Sequence, residues 1–240
     1  MSVDAWWEEL FELPAWQAVQ FGWESLEDAD HQVDLIVRAT GLHPGMRVLD
    51  VPCGTGRIAK RLVERGFDVV GVDITDRFLD EARGAGVTVE RADMRQLTFE
   101  DAFDVAICMW GSFGYFDDDG NLAQARAACR ALKPGGRYLI DTLCAEALLP
   151  VFRERDWFEG AETFVLEHRT YVVGTGRVET RWTFLRGAER QEQTTSVRIY
   201  TLPELTELLR EAGFSAFSAF DDELAPFEMG SRRLWLVATR

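Results

Sequence analysis

The sequence has few of the residues that build metal centres and disulfide frameworks. Its 240 residues include four cysteines and three histidines. The cysteines are far apart and form no Cys-x-x-Cys pair, so they indicate neither a zinc site nor a set of disulfides. They are Cys53, Cys108, Cys129 and Cys144. We therefore predict a protein of the reducing cytoplasm that holds no metal.

Basic residues and long apolar runs are also scarce. Lys and Arg number 26 against 41 Asp and Glu, which gives a net charge of −15. Such a charge repels phosphate backbones and anionic lipids, so we expect no nucleic acid or membrane partner. The longest apolar run, residues 105–116, is too short to span a bilayer, and the acidic start of the chain does not resemble a signal peptide.

A regular alternation of apolar runs and helical patterns is present instead. Helical patterns cover residues 57–64, 76–83 and 121–132, and each ends at a glycine or at Lys-Pro-Gly-Gly. The apolar runs are residues 47–50, 68–73, 87–90, 103–109 and 136–141. Strands that alternate with helices predict right-handed βαβ units and a parallel sheet.

The pattern changes after Pro150. Residues 163–172, 177–186 and 192–201 are rich in β-branched and aromatic residues, which predicts antiparallel strands of an insertion. A helix then follows from Thr201 to Gly213, and two last strands are expected near residues 214–220 and 233–239. The predicted layout is an N-terminal helical segment (1–45), an α/β core (46–150), the insertion (151–200) and the completion of the core (201–240).

The stretch VLDVPCGTGRIA, residues 48–59, joins a strand pattern to a helical pattern through Gly54 and Gly56. Glycine lets the backbone approach a ligand, and ligands of parallel sheets bind beyond the carboxyl ends of the strands. Asp73 ends the next strand 17 residues after Gly56, where an acid can accept from both hydroxyls of a ribose. Asp93 and Met94 follow the third strand and would suit an adenine. The alternatives are a tight turn, a helix cap at Asp73 and a solvated turn at Asp93.

Five motifs in this order resemble the class I S-adenosylmethionine-dependent methyltransferases. They are LDVPCGTG, VVGVD, ADM, FDVAICMWGSFGYF and LKPGG, within residues 46–141. The resemblance implies a Rossmann-like α/β fold, with a seven-stranded, mostly parallel sheet and an antiparallel β insertion after the fifth strand. It also implies S-adenosylmethionine as methyl donor, S-adenosylhomocysteine as product and a small-molecule acceptor. A looser likeness extends to sugar-amine N-methyltransferases with a β-rich insertion.

The resemblance also implies the residues that hold the donor. The methionine moiety would lie near Asp50, Gly54 and Gly56, the ribose at Asp73 and the adenine at Asp93. The full set is Asp50, Cys53, Gly54, Gly56, Asp73, Ile74, Asp93, Met94, Met109 and Trp110. Cys53 occupies a variable position and is expected to pack rather than to act as a nucleophile.

A dinucleotide-dependent oxidoreductase is the first alternative. A dinucleotide turn would have its third glycine at position 59, where the chain has Ala59. Asp50 beside the turn would repel a pyrophosphate and favour a cationic ligand. A non-catalytic module that binds the donor is a further alternative.

The acceptor side of the reaction depends on whether a base is present. An amine must arrive neutral, a hydroxyl needs a base and a carboxylate needs neither. We predict N-methylation, with O-methylation of a hydroxyl or carboxylate as the alternative. Tyr115 and His168 are the candidate bases, although a lone His in a strand is more often structural.

Three regions are candidates for the acceptor pocket. Residues 110–116 would form a wall. The N-terminal aromatics would form a lid or pack a helix on the sheet; they are Trp6, Trp7, Trp16, Phe21 and Trp23. The insertion would cover the site with His168, Arg181, Arg198 and Tyr200. The two arginines would bind a substrate anion or pair with Glu167 and Glu179. The spacing leaves open a monomer or a homodimer.

Overall fold

The computed structural model describes residues 5–19, 29–160 and 162–240. The chain separates into two compact units. The larger unit consists of Ala29–Pro150 and Tyr200–Arg240, and the smaller one of Met1–Asp28 and Val151–Ile199. Two predicted N-terminal aromatics, Phe21 and Trp23, lie outside the described residues.

The described elements follow one another as the alternation predicts, with the insertion in its expected place. In chain order they are α1 (Trp6–Glu12), α2 (Ala29–Thr40), β1 (Arg47–Asp50), α3 (Arg57–Glu64), β2 (Asp68–Asp73), α4 (Asp76–Gly84), β3 (Thr88–Arg91), β4 (Phe103–Cys108), α5 (Asp118–Ala131), β5 (Leu132–Thr142), α6 (Ala145–Leu148), β6 (Arg155–Gly160), β7 (Thr163–Val172), β8 (Arg177–Arg186), β9 (Glu189–Arg198), α7 (Leu202–Ala212), β10 (Ala216–Phe220) and β11 (Leu234–Thr239).

The larger unit contains a seven-stranded sheet in the order β10-β11-β5-β4-β1-β2-β3. Strands β1 to β5 run parallel, and β11 is antiparallel to β5 and β10. Successive residues of β1 enter different cores, since Val48 lies in one buried cluster and Leu49 in the other. Strands buried on both faces are typical of a parallel sheet with helices on each side. The predicted fold class is confirmed.

The start of β5 differs from the prediction. The sequence predicts a strand over residues 136–141, whereas β5 begins at Leu132. Leu132 pairs with Phe103 and the next paired residue, Arg137, lies opposite Val105, so the intervening residues form an irregularity in the ladder. A proline and two glycines suit such a site because they are poorly placed in a regular ladder.

The smaller unit contains a four-stranded antiparallel sheet in the order β6-β7-β8-β9. Its third predicted strand, residues 192–201, lies three residues earlier because Arg186 pairs with Glu189 across a two-residue turn. Gly187 in this turn has φ +58°, which fixes the register of the hairpin. Strand β6 was not predicted.

The described N-terminal aromatics pack on this four-stranded sheet. The Trp6 Nε1 donates to the Ser196 carbonyl at 3.0 Å. The ring of Trp16 meets that of Trp182 edge to face, with centroids 5.3 Å apart. Their role as a lid stays a prediction. Within the described ranges, no helix has both the length and the apolar character needed to cross a membrane.

Candidate active site

Asp73 fixes the glycine turn to the end of β2. Its carboxylate is almost fully buried, with one oxygen accepting from the Gly54 N–H at 3.0 Å and the other from the Thr75 N–H at 2.9 Å. Burial raises the pKa of Asp73, and these backbone hydrogen bonds oppose the rise. Thr75, not Asp73, is the N-cap residue of α4. The structure therefore holds this carboxylate in place against the turn.

The two glycines of the turn have different surroundings. A Cβ on Gly54, at φ +53°, would meet nothing within 4 Å. A Cβ on Gly56, at φ +79°, would lie 2.8 Å from the Cβ of Ala82 on α4. Gly54 therefore faces open space that a ligand can use, whereas Gly56 permits close packing of the turn against a helix.

Cys53 packs against β2. A Cβ on Gly71 would lie 2.9 Å from the Cys53 Sγ, so the thiol occupies the space that this glycine leaves. Burial raises the pKa of the Cys53 thiol, and the acids Asp50 and Asp73 raise it further. The thiol is therefore neutral and unsuited to nucleophilic attack.

Asp50 is a buried acid at the end of β1. It is 2% exposed, and burial, with the nearby Asp73 as a second cause, raises its pKa to about 8. The Ala59 N–H and the Arg57 guanidinium oppose this rise. A cation placed beside Asp50 would offset the unfavourable burial of its negative charge.

Asp93 lies after β3 and is held by a neighbour in sequence. The Arg95 guanidinium donates from Nε to Oδ1 at 3.0 Å and from Nη2 to Oδ2 at 2.6 Å. Burial raises the pKa of Asp93, but the hydrogen bonds from Arg95 outweigh it and leave the pKa below its usual value. The Met94 side chain packs against the core of the sheet.

The segment after β4 holds Trp110 in a left-handed conformation. Its φ is +63°, which is uncommon for a bulky residue. The Trp110 N–H donates to Asp141 Oδ2 at 2.9 Å, and Arg233 Nε donates to the other Asp141 oxygen at 2.5 Å. The Arg57 guanidinium carbon lies 4.5 Å from the centroid of the Trp110 ring, a cation–π contact. Preceding Trp110, the Met109 side chain is buried in the core.

Sequence reasoning missed Arg57, Asp141 and Arg233. Asp141 stands at the end of a strand pattern, as Asp50 and Asp73 do, and that position was a usable signal. Arg57 and Arg233 gave none, because their contacts depend on tertiary structure.

The two candidate bases have unfavourable surroundings. Burial raises the pKa of the Tyr115 hydroxyl well above its usual range, and a hydrogen bond with Ser112 opposes this only in part. His168 lies on β7 of the smaller unit, where its Nδ1 is 3.0 Å from Arg181 Nη2. A guanidinium only donates, so Nδ1 accepts and a neutral ring carries its proton on Nε2. A base role for either residue stays a prediction.

The other polar residues expected in the insertion have partners of their own. Arg198 Nη1 donates to the Ile199 carbonyl at 2.8 Å. Glu167 pairs with Arg169 rather than with either predicted arginine. Tyr200 lies beyond β9, in the larger unit, because the strand ends earlier than predicted; its hydroxyl donates to Asp118 at 2.7 Å.

Comparison with known proteins finds a methyltransferase domain in part of the chain. Residues 48–136 match a family described as Methyltransferase domain. Glycine N-methyltransferase of Rattus norvegicus is 33% identical over 182 residues, which cover 59% of this chain and 61% of that protein.

Solved structures agree in fold along nearly the whole chain. The CcbJ methyltransferase from Streptomyces caelestis has a TM-score of 0.77 at 18% identity, with 99% of this chain and 98% of that chain covered. CalS10 bound to S-adenosylmethionine, an amino pentose methyltransferase from Micromonospora echinaspora, has a TM-score of 0.69 at 23% identity, with 90% and 93% covered.

The fold, the glycine turn and the relatives together define a methyltransferase with a Rossmann-like fold. The chain contains a methyltransferase domain, and it shares its fold with S-adenosylmethionine-dependent methyltransferases. It is a methyltransferase, and CalS10, which shares its fold, binds S-adenosylmethionine.

The residues at the carboxyl ends of the strands fit this donor. Asp50 is a buried acid whose pKa is raised by burial, so an ammonium beside it is favoured and a pyrophosphate is opposed. Gly54 leaves open space at the turn, and Asp73 presents a fixed carboxylate beside it. These features match a ligand with an ammonium, a ribose and no phosphate.

Proposed function

We propose that this enzyme methylates a nitrogen atom of a small molecule. The observation that carries the proposal is the fold shared with CalS10, an amino pentose methyltransferase. Burial also raises the pKa of the Tyr115 hydroxyl in the segment after β4, which makes its phenolate a poorly accessible base. A hydroxyl acceptor needs a base to remove its proton, whereas a neutral amine attacks with its own lone pair. The likeness to glycine N-methyltransferase of Rattus norvegicus supports the same choice.

The same proposal assigns roles to the donor-binding residues. Asp73 would accept from the ribose hydroxyls, Asp50 would pair with the ammonium, and the backbone at Gly54 would approach the methionine moiety. Asp93 and the Met94 backbone would contact the adenine. Cys53 and Gly56 would act through packing, and Ile74, Met109 and Trp110 would contribute main-chain contacts.

The chain's contribution to the reaction is positioning and the exclusion of water. When bound, S-adenosylmethionine supplies a methyl group already activated on a sulfonium. Orientation alone can then account for much of the rate. Trp110 is suited to this task because the Asp141 hydrogen bond and the Arg57 contact both fix it. Asp50 would ionise as the ammonium binds, since an adjacent cation favours its charged form.

An acceptor screen tests the proposal. The enzyme is incubated with isotopically methyl-labelled S-adenosylmethionine and matched pairs of acceptors: amino sugars and the corresponding hydroxyl sugars, and glycine with glycolate. We expect label on the amines only, at a rate that rises with pH as the ammonium loses its proton. Label on a hydroxyl or carboxylate, with the matched amine unmodified, would establish O-methylation instead.

Two controls keep the screen interpretable. Asp73→Ala should reduce the labelling of every acceptor by the same factor, because it weakens donor binding. Calorimetric titration with S-adenosylhomocysteine then separates a wrong acceptor panel from a defective donor site. Tight binding without turnover on any acceptor class would favour a non-catalytic module.

A further inference from the structure

Arg95 is held to Asp93 by a two-pronged contact. Its Nε and Nη2 each donate to a different carboxylate oxygen, and its backbone N–H also donates to Oδ1 at 2.8 Å. The two side chains are 34% and 26% exposed, so the pair is partly shielded from water. A planar guanidinium that meets both oxygens fixes the rotation of a carboxylate, which a single point charge does not.

Arg95 is itself supported by an aromatic ring. Its guanidinium carbon lies 4.1 Å from the centroid of Phe116. The Phe116 backbone is fixed by the fully buried Asn121, which accepts from the Phe116 N–H at 3.3 Å and donates to its carbonyl at 2.9 Å. Asn121 Nδ2 also donates to the Tyr200 hydroxyl at 3.0 Å. The ring beneath Arg95 is therefore carried by a backbone segment that buried hydrogen bonds hold in place.

We propose that Arg95 is a positioning residue that makes the donor site selective for a 6-amino purine over a 6-oxo purine. It does so through Asp93, whose carboxylate it orients on the Phe116 platform. This inference rests on the proposed contact between Asp93 and adenine.

The chemistry follows from what a carboxylate can and cannot do. An ionised carboxylate only accepts hydrogen bonds, so it pairs with the amino group of adenine and repels the 6-oxo oxygen of hypoxanthine. The hydrogen bonds from Arg95 hold Asp93 in this ionised form. Without Arg95, Asp93 can rotate, and it can take up a proton more easily and then donate to an oxo group. Selectivity should fall even where overall binding survives.

The test compares S-adenosylhomocysteine with S-inosylhomocysteine by calorimetry in the full-length enzyme. For the wild type we expect a preference for the adenosyl compound of about ten- to a hundredfold, the range for a hydrogen bond to a charged group. In Arg95→Leu this ratio should fall about tenfold, with most of the loss on the adenosyl compound. Arg95→Lys keeps a charge but loses the fork, so its ratio should lie between those two.

Arg210→Leu is the matched control. Arg210 on α7 also pairs with a carboxylate, that of Glu207, and its guanidinium carbon lies 5.3 Å from the centroid of Phe217. This variant should keep the wild-type ratio, which separates a specific effect from the general loss of an Arg contact. The Asp93→Asn variant should lose the selectivity, and Arg95→Leu should add little in that background.

The outcomes distinguish the proposal from its premise. Equal affinity of the wild type for both compounds would overturn the adenine contact of Asp93, and this inference with it. A wild-type ratio retained in Arg95→Leu would overturn the role of Arg95 alone, and the proposed N-methyltransferase function would stand. Should the Leu variant fail to fold, an unchanged ratio in Arg95→Lys overturns the role equally well.

Discussion

The two sheets of this chain treat their charged residues in opposite ways. In the four-stranded sheet the charges satisfy one another: Glu167 pairs with Arg169, and Arg181 donates to His168. Residues 151–199 contain eight basic and eight acidic side chains, so this region is neutral as a whole. In the seven-stranded sheet, Asp50 and Asp73 are both buried, and burial together with the nearby Asp73 raises the pKa of Asp50.

This difference separates stability from function. A sheet whose charges are paired internally gains nothing electrostatic from a ligand. A sheet that buries acids without full compensation is stabilised when a cationic ligand arrives. We therefore expect substitutions at the carboxyl ends of β1 and β2 to change donor binding, and charge removal in the four-stranded sheet to change it little.

The largest effect is expected at Gly54. Gly54→Val would fill the open space beside the turn and should reduce affinity for S-adenosylhomocysteine by more than about a hundredfold, since a misplaced Cβ excludes the ligand backbone contact. Calorimetry measures the affinity, and thermal denaturation measures the stability of the fold. The matched variant is Gly56→Ala, where a Cβ would collide with Ala82. It should lower stability by about 1–3 kcal/mol instead. If both variants lost binding and stability in parallel, the different roles assigned to Gly54 and Gly56 would be contradicted.

The next effect concerns Asp73. Asp73→Ala removes the acceptor for the Gly54 and Thr75 N–H groups as well as the proposed ribose contact. Donor affinity should fall by about 1–3 kcal/mol, the usual loss for a hydrogen bond to a charged group. Titration with S-adenosylhomocysteine and with its 2′-deoxy analogue separates the loss of the ribose contact from the loss of the hydrogen bonds to the turn. An equal preference for the 2′-hydroxyl in wild type and variant would exclude the ribose contact.

Asp50 gives a smaller effect with a distinct pH dependence. Its pKa is raised from 3.8 to about 8, so the folded protein binds a proton between these values that the unfolded chain has released. Its contribution to stability is therefore full below pH 3.8 and is lost as pH rises towards about 8. Asp50→Asn should be more stable than the wild type at about pH 8, in thermal denaturation without ligand.

The same group should make donor binding depend on pH. Because an ammonium favours the ionised form of Asp50, wild-type affinity for S-adenosylhomocysteine should rise up to about pH 8 and then level off. Asp50→Asn should bind more weakly and show no such rise. A parallel pH profile in the two proteins would show that Asp50 does not face the ammonium.

The smallest effect is expected in the four-stranded sheet. In His168→Asn we expect kcat to change by less than about threefold, far from the 10²- to 10⁴-fold loss that follows removal of a general base. The reason is the Arg181 contact, which occupies the ring nitrogen that would accept a proton. Steady-state kinetics with the acceptor that the labelling screen identifies measure this change in kcat. A large loss of kcat with unchanged KM would establish His168 as the base and erase the contrast between the sheets.

Local sequence signals were sufficient for most of the fold. The pattern over residues 57–64 predicts α3 to the residue, since apolar spacing and a terminal glycine both define it. Strands β7 and β8 also match their predicted bounds. Strand β6 was missed because Arg155–Gly160 contains no β-branched residue and lies at the edge of its sheet.

The site divides in the same manner. The positions of Asp50 and Asp73 were predictable because the end of a parallel strand is a defined place in sequence and in space. The contact of Arg233 with Asp141 spans 92 residues, and no local pattern encodes it. The two glycines looked equivalent in sequence, and only the position of Ala82 on the neighbouring helix distinguishes them.

Trp110 occupies a backbone conformation that glycine adopts freely and that disfavours large residues. The backbone of Trp110 therefore carries a conformational strain of about 1–3 kcal/mol, and the hydrogen bond from its N–H to Asp141 helps to offset this strain. For protein engineering, this makes position 110 a favourable starting point for a library of acceptor specificities. Trp110→Gly would relieve the strain in the main chain. Other side chains could then be tested at position 110 for the acceptors that each one admits.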